Sequence, residues 1–349
     1  MSSAETDRRV IIFALGGTIA MSASPTGGVA PALSAEQLIA AIPGLADNDI
    51  AVEVVDFRQM PGASLKISDI AALADTIGQR LAEDVGGAVV TQGTDTIEET
   101  AYLLDLLHTA PQPVVVTGAM RNPTLAGADG PANLLAAMQT AVHPRFRGQG
   151  CLVVLGDEIH AARRVRKTHT TSPTTFQSPN GGPLGYIVEG RPRLLNQLPH
   201  RAAVPATPGD DIRVAIITMA LGDDGTTLQA VGDHVDGIVV AGLGAGHVPA
   251  RIVPLLENLA DKIPVVLASR TGGGSTLQTT YGFPGSERDL IARGLIPAGY
   301  LDPVKARILL LTLLAANCDR AAITAAFGAE GGYHDTETWP WPTDPDKDN

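Results

Sequence analysis

The sequence predicts two α/β domains: a larger N-terminal one on a mostly parallel, doubly wound sheet, and a smaller C-terminal one. Three observations predict this. Between Val10 and Leu155, short apolar runs without polar alternation are each followed by an amphipathic stretch, the pattern of parallel strands covered on both faces. The pattern lapses between Glu189 and Asp211, where Pro and Gly are dense, and then resumes. The chain has 349 residues, where one domain usually takes about 100–200.

The strands expected in the first domain are Val10–Leu15, Ile50–Phe57, Gly87–Thr91, Pro113–Thr117 and Cys151–Leu155. Helices are expected at Ser34–Ile42, Ser68–Asp84, Thr96–Leu107 and Pro131–Val142. In the second helix Ile70, Leu73, Ile77 and Leu81 form the stripe of one helical face. The crossovers are expected to be right-handed. This gives an N-terminal α/β domain over 1–190 and a linker over 191–211. The C-terminal domain, 212–330, has strands Val214–Thr218, Gly237–Ala241 and Val265–Ala268. Its helices are Pro249–Ala260, Ser286–Gly294, Asp302–Asn317 and Asp319–Phe327. Residues 331–349 form an acidic, Pro-rich tail with both tryptophans, Trp339 and Trp341, read as a loosely docked strap.

Composition narrows the function. Hydrophobic residues make up 44% and charged residues 18%, which suits folded cores. A net charge of −12 argues against nucleic acid and anionic membrane partners. No apolar run approaches the length of a transmembrane helix. Arg8-Arg9 followed by Val10–Met21 imitates a leader peptide, but Gly16-Gly17 cuts the run, which reads better as a buried first strand. That reading implies a cytoplasmic protein with reduced thiols. Cys151 and Cys318, the two cysteines, form no CxxC pair, and the eight histidines show no HExxH spacing, so no metal is expected. Gly242–Gly246 lacks the dinucleotide spacing, and neither a GxxxxGK[ST] loop nor a GxSxG elbow occurs, which argues against a dinucleotide binder and a nucleotide triphosphatase.

Two Gly-Thr loops fall at strand ends, where doubly wound sheets bind ligands: Gly16-Gly17-Thr18-Ile19-Ala20 and Gln92-Gly93-Thr94-Asp95-Thr96. Glycines let backbone N–H groups approach a developing oxyanion, and a hydroxyl beside a carboxylate suits an ammonium ligand. The plain alternatives are a satisfied turn at Thr18 and an Asp95–Glu98 capping box. A third segment, Arg163-Arg164-Val165-Arg166-Lys167, gathers four cations in five residues. It reads either as a solvated strip or as the source of an inward lysine that activates a threonine hydroxyl. The segment leaves open which cation would point inward.

Taken together, these residues resemble the bacterial-type L-asparaginases and glutaminase-asparaginases. The likeness rests on Gly16–Ala20, on Gly93-Thr94-Asp95-Thr96-x-Glu98-Glu99-Thr100-Ala101, and on Thr117-Gly118-Ala119-Met120-Arg121. It continues through Ala128-Asp129-Gly130-Pro131-x-Asn133-Leu134, Lys167-Thr168-x-Thr170-Thr171, Gly182–Tyr186 and Leu301-x-Pro303-x-Lys305-Ala306-Arg307. The resemblance implies a two-domain asparaginase-like fold and a homotetramer, built as a dimer of dimers, with sites completed by a neighbour's C-terminal domain. It implies hydrolysis of asparagine's side-chain amide to aspartate and ammonia without cofactor or metal. It makes Thr18 the nucleophile and makes Thr94, Asp95 and Lys167 the second threonine, its acidic neighbour and the activating lysine. Asp95 would bind the α-ammonium, the Ala119 carbonyl would receive the amide, and Gly17 and Ser64 would line the substrate.

The sequence departs from the family in four places. Leu15 stands where many relatives have Thr, and the family's mobile-loop Tyr is missing from Met21–Leu33. Of the usual Ser-Gln pair only Ser64 is near. His247 stands for an Asn, and the matching Glu position falls near Tyr281. Tyr281 is therefore read as a phenol supplied in trans, against the plainer reading of an interface aromatic. Two rival functions remain: a glutaminase-asparaginase or amidase for another amino-acid amide, and a non-catalytic two-domain solute binder.

Overall fold

The computed structural model describes residues 8–16, 21–23, 29–31, 42, 45–334 and 336–341. The helix expected at Ser34–Ile42 lies outside them apart from Ile42. The chain forms two compact units, Met1–Arg201 and Ala202–Asn349.

The first unit carries strands β1 (Arg9–Ala14), β2 (Met21–Ala23), β3 (Val29–Pro31), β4 (Ala51–Asp56), β5 (Gly87–Thr91) and β6 (Val114–Thr117). They are followed by β7 (Cys151–Leu155), β8 (Glu158–Ala161), β9 (Arg166–Lys167), β10 (Phe176–Gln177), β11 (Gly185–Val188) and β12 (Arg191–Leu194). Among the described residues its helices are α1 (Ile67–Leu81), α2 (Ile97–Leu107) and α3 (Gly130–Ala141). Eight strands form one sheet in the order β12-β11-β8-β7-β6-β5-β1-β4. From β4 to β7 the neighbours are parallel; β8, β11 and β12 add antiparallel pairs.

The apolar run that imitates a leader is the inner strand β1, buried from Val10 to Phe13 between β4 and β5. The chain steps from β1 to the edge strand β4 and then crosses to β5 on the other side of β1. The order therefore reverses between β1 and β5, and the loops after these strands open at the switch point where such sheets bind ligands.

The structure departs from expectation in two respects. First, β12 lies inside the stretch expected to be linker and pairs with β11. The β7–β8 and β11–β12 hairpins turn on Gly156-Asp157 and Glu189-Gly190, all four at positive φ. That is the conformation a two-residue turn needs to follow the strand twist. Second, α1 and α2 pack together, while α3 covers the opposite sheet face at the row Ile12–Val89–Val115–Leu152. All three helices connect strands advancing in one direction, so the crossovers are of both hands and not all right-handed. The long connection Gly118–Asp129 gives the chain the reach to change face. Leu15 is fully buried, so it serves the core.

The second unit is a parallel four-stranded sheet, β13 (Val214–Thr218), β14 (Gly237–Gly242), β15 (Val265–Ser269) and β16 (Ile296–Pro297). Its helices are α4 (Thr226–Gly232), α5 (Val253–Ala260), α6 (Glu287–Ala292), α7 (Pro303–Ala315) and α8 (Arg320–Glu330). The family-like run 301–307 has a structural reading. Asp302 caps α7 by accepting from the Val304 and Lys305 N–H groups, Pro303 fills the first helical position, and the Arg307 Nε donates to the Val214 carbonyl. The tail is docked more firmly than a loose strap. Trp339 is buried, and its indole N–H donates to the Ala203 carbonyl at 3.2 Å.

His108, at the end of α2, gives the first unit a pH dependence. Its Nε2 donates to the Gln112 carbonyl at 2.7 Å. Burial foremost, then the nearby Arg201 charge, push its pKa down to about 4 against a pull upward from that hydrogen bond. In the unfolded chain the same imidazole takes up a proton near pH 6.5. Between these values the unfolded state binds more protons. The stability is therefore fully present above about pH 6.5 and is lost as the pH falls toward 4, by up to about 3 kcal/mol at roughly 1.4 kcal/mol per unit. Urea midpoints at pH 7.0 and 4.5 check this: His108→Gln is expected to show a smaller drop than the unchanged protein.

Candidate active site

The site begins at the turn that ends β5. Thr94–Thr96 form a short 3-10 turn ahead of α2. No side chain caps α2, so Asp95 and Glu98 do not make a capping box. Asp95 instead faces Lys167 from the β9–β10 hairpin. The Lys167 Nζ lies 2.9 Å from the Thr94 Oγ1 and 2.9 Å from the Asp95 Oδ1. Thr94 is buried, whereas 70% of the Asp95 side chain is exposed. The carboxylate is thus held by one cation and open to another.

The β9–β10 pairing, Lys167 with Phe176 and Arg166 with Gln177, fixes which cation of the basic run turns inward. Arg163 is no surface residue either: it is buried, and its Nη2 donates to the His200 carbonyl at 3.0 Å. The solvated-strip reading fails for both.

Two further loops close on Thr94. Gly118 follows β6 so tightly that a Cβ there would sit 2.6 Å from the Gln92 carbonyl oxygen and 3.4 Å from the Thr94 Cγ2. Only glycine permits that approach, which packs the loop leading into the buried Ala119 against Thr94. On the other side the 3-10 turn Gly62–Ser64 leans on the same loop. The Thr96 hydroxyl donates to the Gly62 carbonyl at 3.1 Å and accepts from the Gln92 Nε2 at 3.2 Å. Ser64 is exposed at the end of that turn.

Thr94, Asp95, Ala119 and Lys167 are therefore brought together, with Ser64 on the neighbouring turn. Gly17 and Thr18 lie outside the described residues. Gly16, directly before them, has φ +94°, and a Cβ on it would press on the Met60 backbone at 3.0 Å.

Tyr281 belongs to the second unit. Its ring is 43% exposed and packs edge-on against His247, with centroids 5.0 Å apart. The His247 Nε2 lies 3.1 Å from Glu287, whose other oxygen accepts the Thr280 and Tyr281 N–H groups. Burial pulls the Glu287 carboxyl upward, but these hydrogen bonds outweigh it and leave the group below its usual range. Glu287 thus anchors the Tyr281 backbone and meets His247.

Gln92, Thr96, Asp129 and Asn133 escaped the sequence reading as site supports. For the last two a signal existed, since an Asp and an Asn four residues apart at a helix start share a face. A separate cavity of about 310 Å³, lined by Glu158, Pro173, Phe176, Ser178 and Pro179 among others, holds none of the candidate catalytic or substrate-binding residues. Beside Ser178, His160 is held neutral by burial, its pKa lowered to about 4, while burial raises the Glu158 carboxyl.

The chain is similar to known proteins over most of its length. Residues 9–200 match the family model for the asparaginase N-terminal domain, and residues 213–327 match the glutaminase/asparaginase C-terminal domain. A probable L-asparaginase of Deinococcus radiodurans is 38% identical over 91% of this chain and 97% of its own length. L-asparaginase 2 of Escherichia coli K12 is 35% identical over 91% and 92%. A glutaminase-asparaginase of Pseudomonas fluorescens is 33% identical over 91% and 89%. The crystal structure of a probable cytoplasmic L-asparaginase from Campylobacter jejuni superposes with a TM-score of 0.82 at 33% identity, covering 91% of this chain and 98% of that one. With both family domains matched in order, and with the threonine, aspartate and lysine of its motifs in contact, this chain belongs to the asparaginase family.

Proposed function

We propose that the protein hydrolyses the side-chain amide of L-asparagine to L-aspartate and ammonia through a threonine nucleophile. The observation that carries this reading is the placement of the Lys167 Nζ at 2.9 Å from both Thr94 and Asp95, at the sheet's switch point. The Thr18 hydroxyl oxygen attacks the amide carbon, the C–N bond breaks, and the leaving nitrogen takes up the hydroxyl proton. Water then attacks the acyl-threonine ester and restores Thr18. Lys167 and the Thr94 hydroxyl, 2.9 Å apart, supply the proton route. Exposed Asp95 binds the substrate's α-ammonium, the Ala119 carbonyl accepts from the carboxamide, and Gly17 and Ser64 complete the substrate's surroundings.

The test is ammonia release from L-asparagine, L-glutamine and D-amino-acid amides. Release from asparagine supports the reading. Release mainly from glutamine favours the glutaminase-asparaginase alternative, which the Pseudomonas relative also raises. Thermal stabilisation by these ligands without turnover would make the protein a solute binder.

The proposal extends to a homotetramer, a dimer of dimers, located in the cytoplasm, in line with the Campylobacter neighbour's description. Tyr281 is proposed to supply a phenol to an adjacent subunit's site. It is a rigidly held, outward aromatic, anchored through Glu287 and resting on His247. Tyr281→Phe keeps the ring and removes only the hydroxyl. A catalytic phenol predicts a loss of about 10²–10⁴-fold with the tetramer intact, whereas packing alone predicts near-full activity. Tetramers mixed from Tyr281→Phe and Thr18→Ala subunits are expected to recover activity.

A further inference from the structure

We propose that Asp129 and Asn133 are positioning residues that aim the Ala119 carbonyl at the substrate and so give the site its preference for an amide over an ester. The inference rests on the reading of Ala119 as the amide's acceptor and goes beyond it.

Peptide planarity fixes the directions of the backbone groups around Ala119. In a trans peptide the C=O and the following N–H point in opposite directions within one plane. The Met120 N–H donates to the Asp129 Oδ2 at 3.0 Å, so the Ala119 C=O is directed away from Asp129. The Gly118 carbonyl accepts from the Asn133 Nδ2 at 3.0 Å, so the Ala119 N–H is directed away from Asn133. The two holders meet, Asn133 Nδ2 donating to Asp129 Oδ2 at 3.2 Å, and therefore lie on one side of the chain. Ala119 presents its own N–H and C=O on the other side.

Each holder is itself locked. The Arg121 N–H donates to the Asp129 Oδ1 at 2.9 Å, which stops the carboxylate from turning. The Gly156 N–H, from the β7–β8 turn, donates to the Asn133 Oδ1 at 3.0 Å. A carbonyl only accepts and an N–H only donates, so this pair of contacts dictates which end of the carboxamide is oxygen. Asn133 is 3% exposed, so a lost contact there is not replaced by bulk water. Asp129 occupies the N-cap of α3, yet its side chain makes no cap bond. It gives up a cap worth about 1 kcal/mol and serves the 120–121 backbone instead.

The consequence is chemical. A primary carboxamide offers N–H to a fixed carbonyl. An ester presents an oxygen there, lone pair against lone pair. L-Asparagine and the β-methyl ester of L-aspartate share the α-ammonium, the α-carboxylate and the acyl group; they differ in the leaving group, NH2 against OCH3, which is the group that meets this carbonyl, and comparing the ratio between variants cancels their different intrinsic reactivity.

The experiment measures kcat/KM for both compounds in the unchanged protein, Asp129→Asn and Asn133→Leu, with melting temperature and oligomeric state recorded. The expected result is a fall in the amide-to-ester ratio of about 10–100-fold in each variant, the scale of one misplaced buried hydrogen bond. If Asn133→Leu does not fold, Asp129→Asn, which keeps the volume, carries the test. Equal losses on both compounds, no change on either, or loss of the folded protein in both variants would overturn the proposal and leave the network a structural support. Absence of ammonia release by the unchanged protein would sink the functional reading, and the proposal with it. Normal release with an unmoved ratio would sink the proposal alone.

Discussion

Lys167→Met is expected to lower ammonia release from asparagine by roughly 10²–10⁴-fold, the range for a group that moves a proton in the transition state. Methionine keeps most of the unbranched stem, so the β9–β10 pairing and the melting temperature should survive. Removing Nζ withdraws the partner of the Thr94 hydroxyl and leaves Asp95 without the cation it faces. Thr94→Val removes the hydroxyl from the other end of the same contact. Because the two groups act as one unit, Thr94→Val with Lys167→Met is expected to cost little more than the worse single change. Steady-state kinetics on the three variants checks this. Fully multiplicative losses would mean that Thr94 and Lys167 serve separate steps.

Thr18→Ala is expected to have the larger effect, on the order of 10⁴–10⁶-fold in kcat, because removing a nucleophile abolishes the covalent route and leaves only binding and polarisation. Asparagine binding should persist, since Asp95, Ala119 and Ser64 are untouched. The variant should therefore still be stabilised by asparagine in a thermal-shift titration. Thr18→Ser should retain part of the activity. Near-normal ammonia release from Thr18→Ala would remove Thr18 from the chemistry and turn attention to Thr94, the buried hydroxyl already in contact with Lys167.

Parts of the fold are written locally in the chain. Parallel strands buried on both faces must be continuous apolar runs, so Cys151–Leu155 and Val214–Thr218 were readable to the residue. The stripe Ile70, Leu73, Ile77, Leu81 defined α1, and Asp302-Pro303 marked the start of α7. The hairpins at Gly156-Asp157 and Glu189-Gly190 carried their own turn signals. They were overshadowed by the Pro- and Gly-rich composition around them, and β12 was consequently read as linker. Short strands such as β9 and β10, two residues each, have no periodicity to detect.

The sequence by itself determined the family, the two α/β domains and the residue types available for chemistry, because motifs and apolar runs are properties of contiguous residues. Only the tertiary structure decided which of Arg163, Arg164, Arg166 and Lys167 faces Thr94, since that follows from a two-residue strand pairing with Phe176 and Gln177. It also decided that Asp95 meets a lysine and does not cap a helix, and that Asp129 and Asn133 hold the two peptide planes around Ala119. These are contacts between residues up to 73 positions apart. Their geometry is set by packing and by the need to satisfy buried polar groups, neither of which any single stretch of the chain encodes.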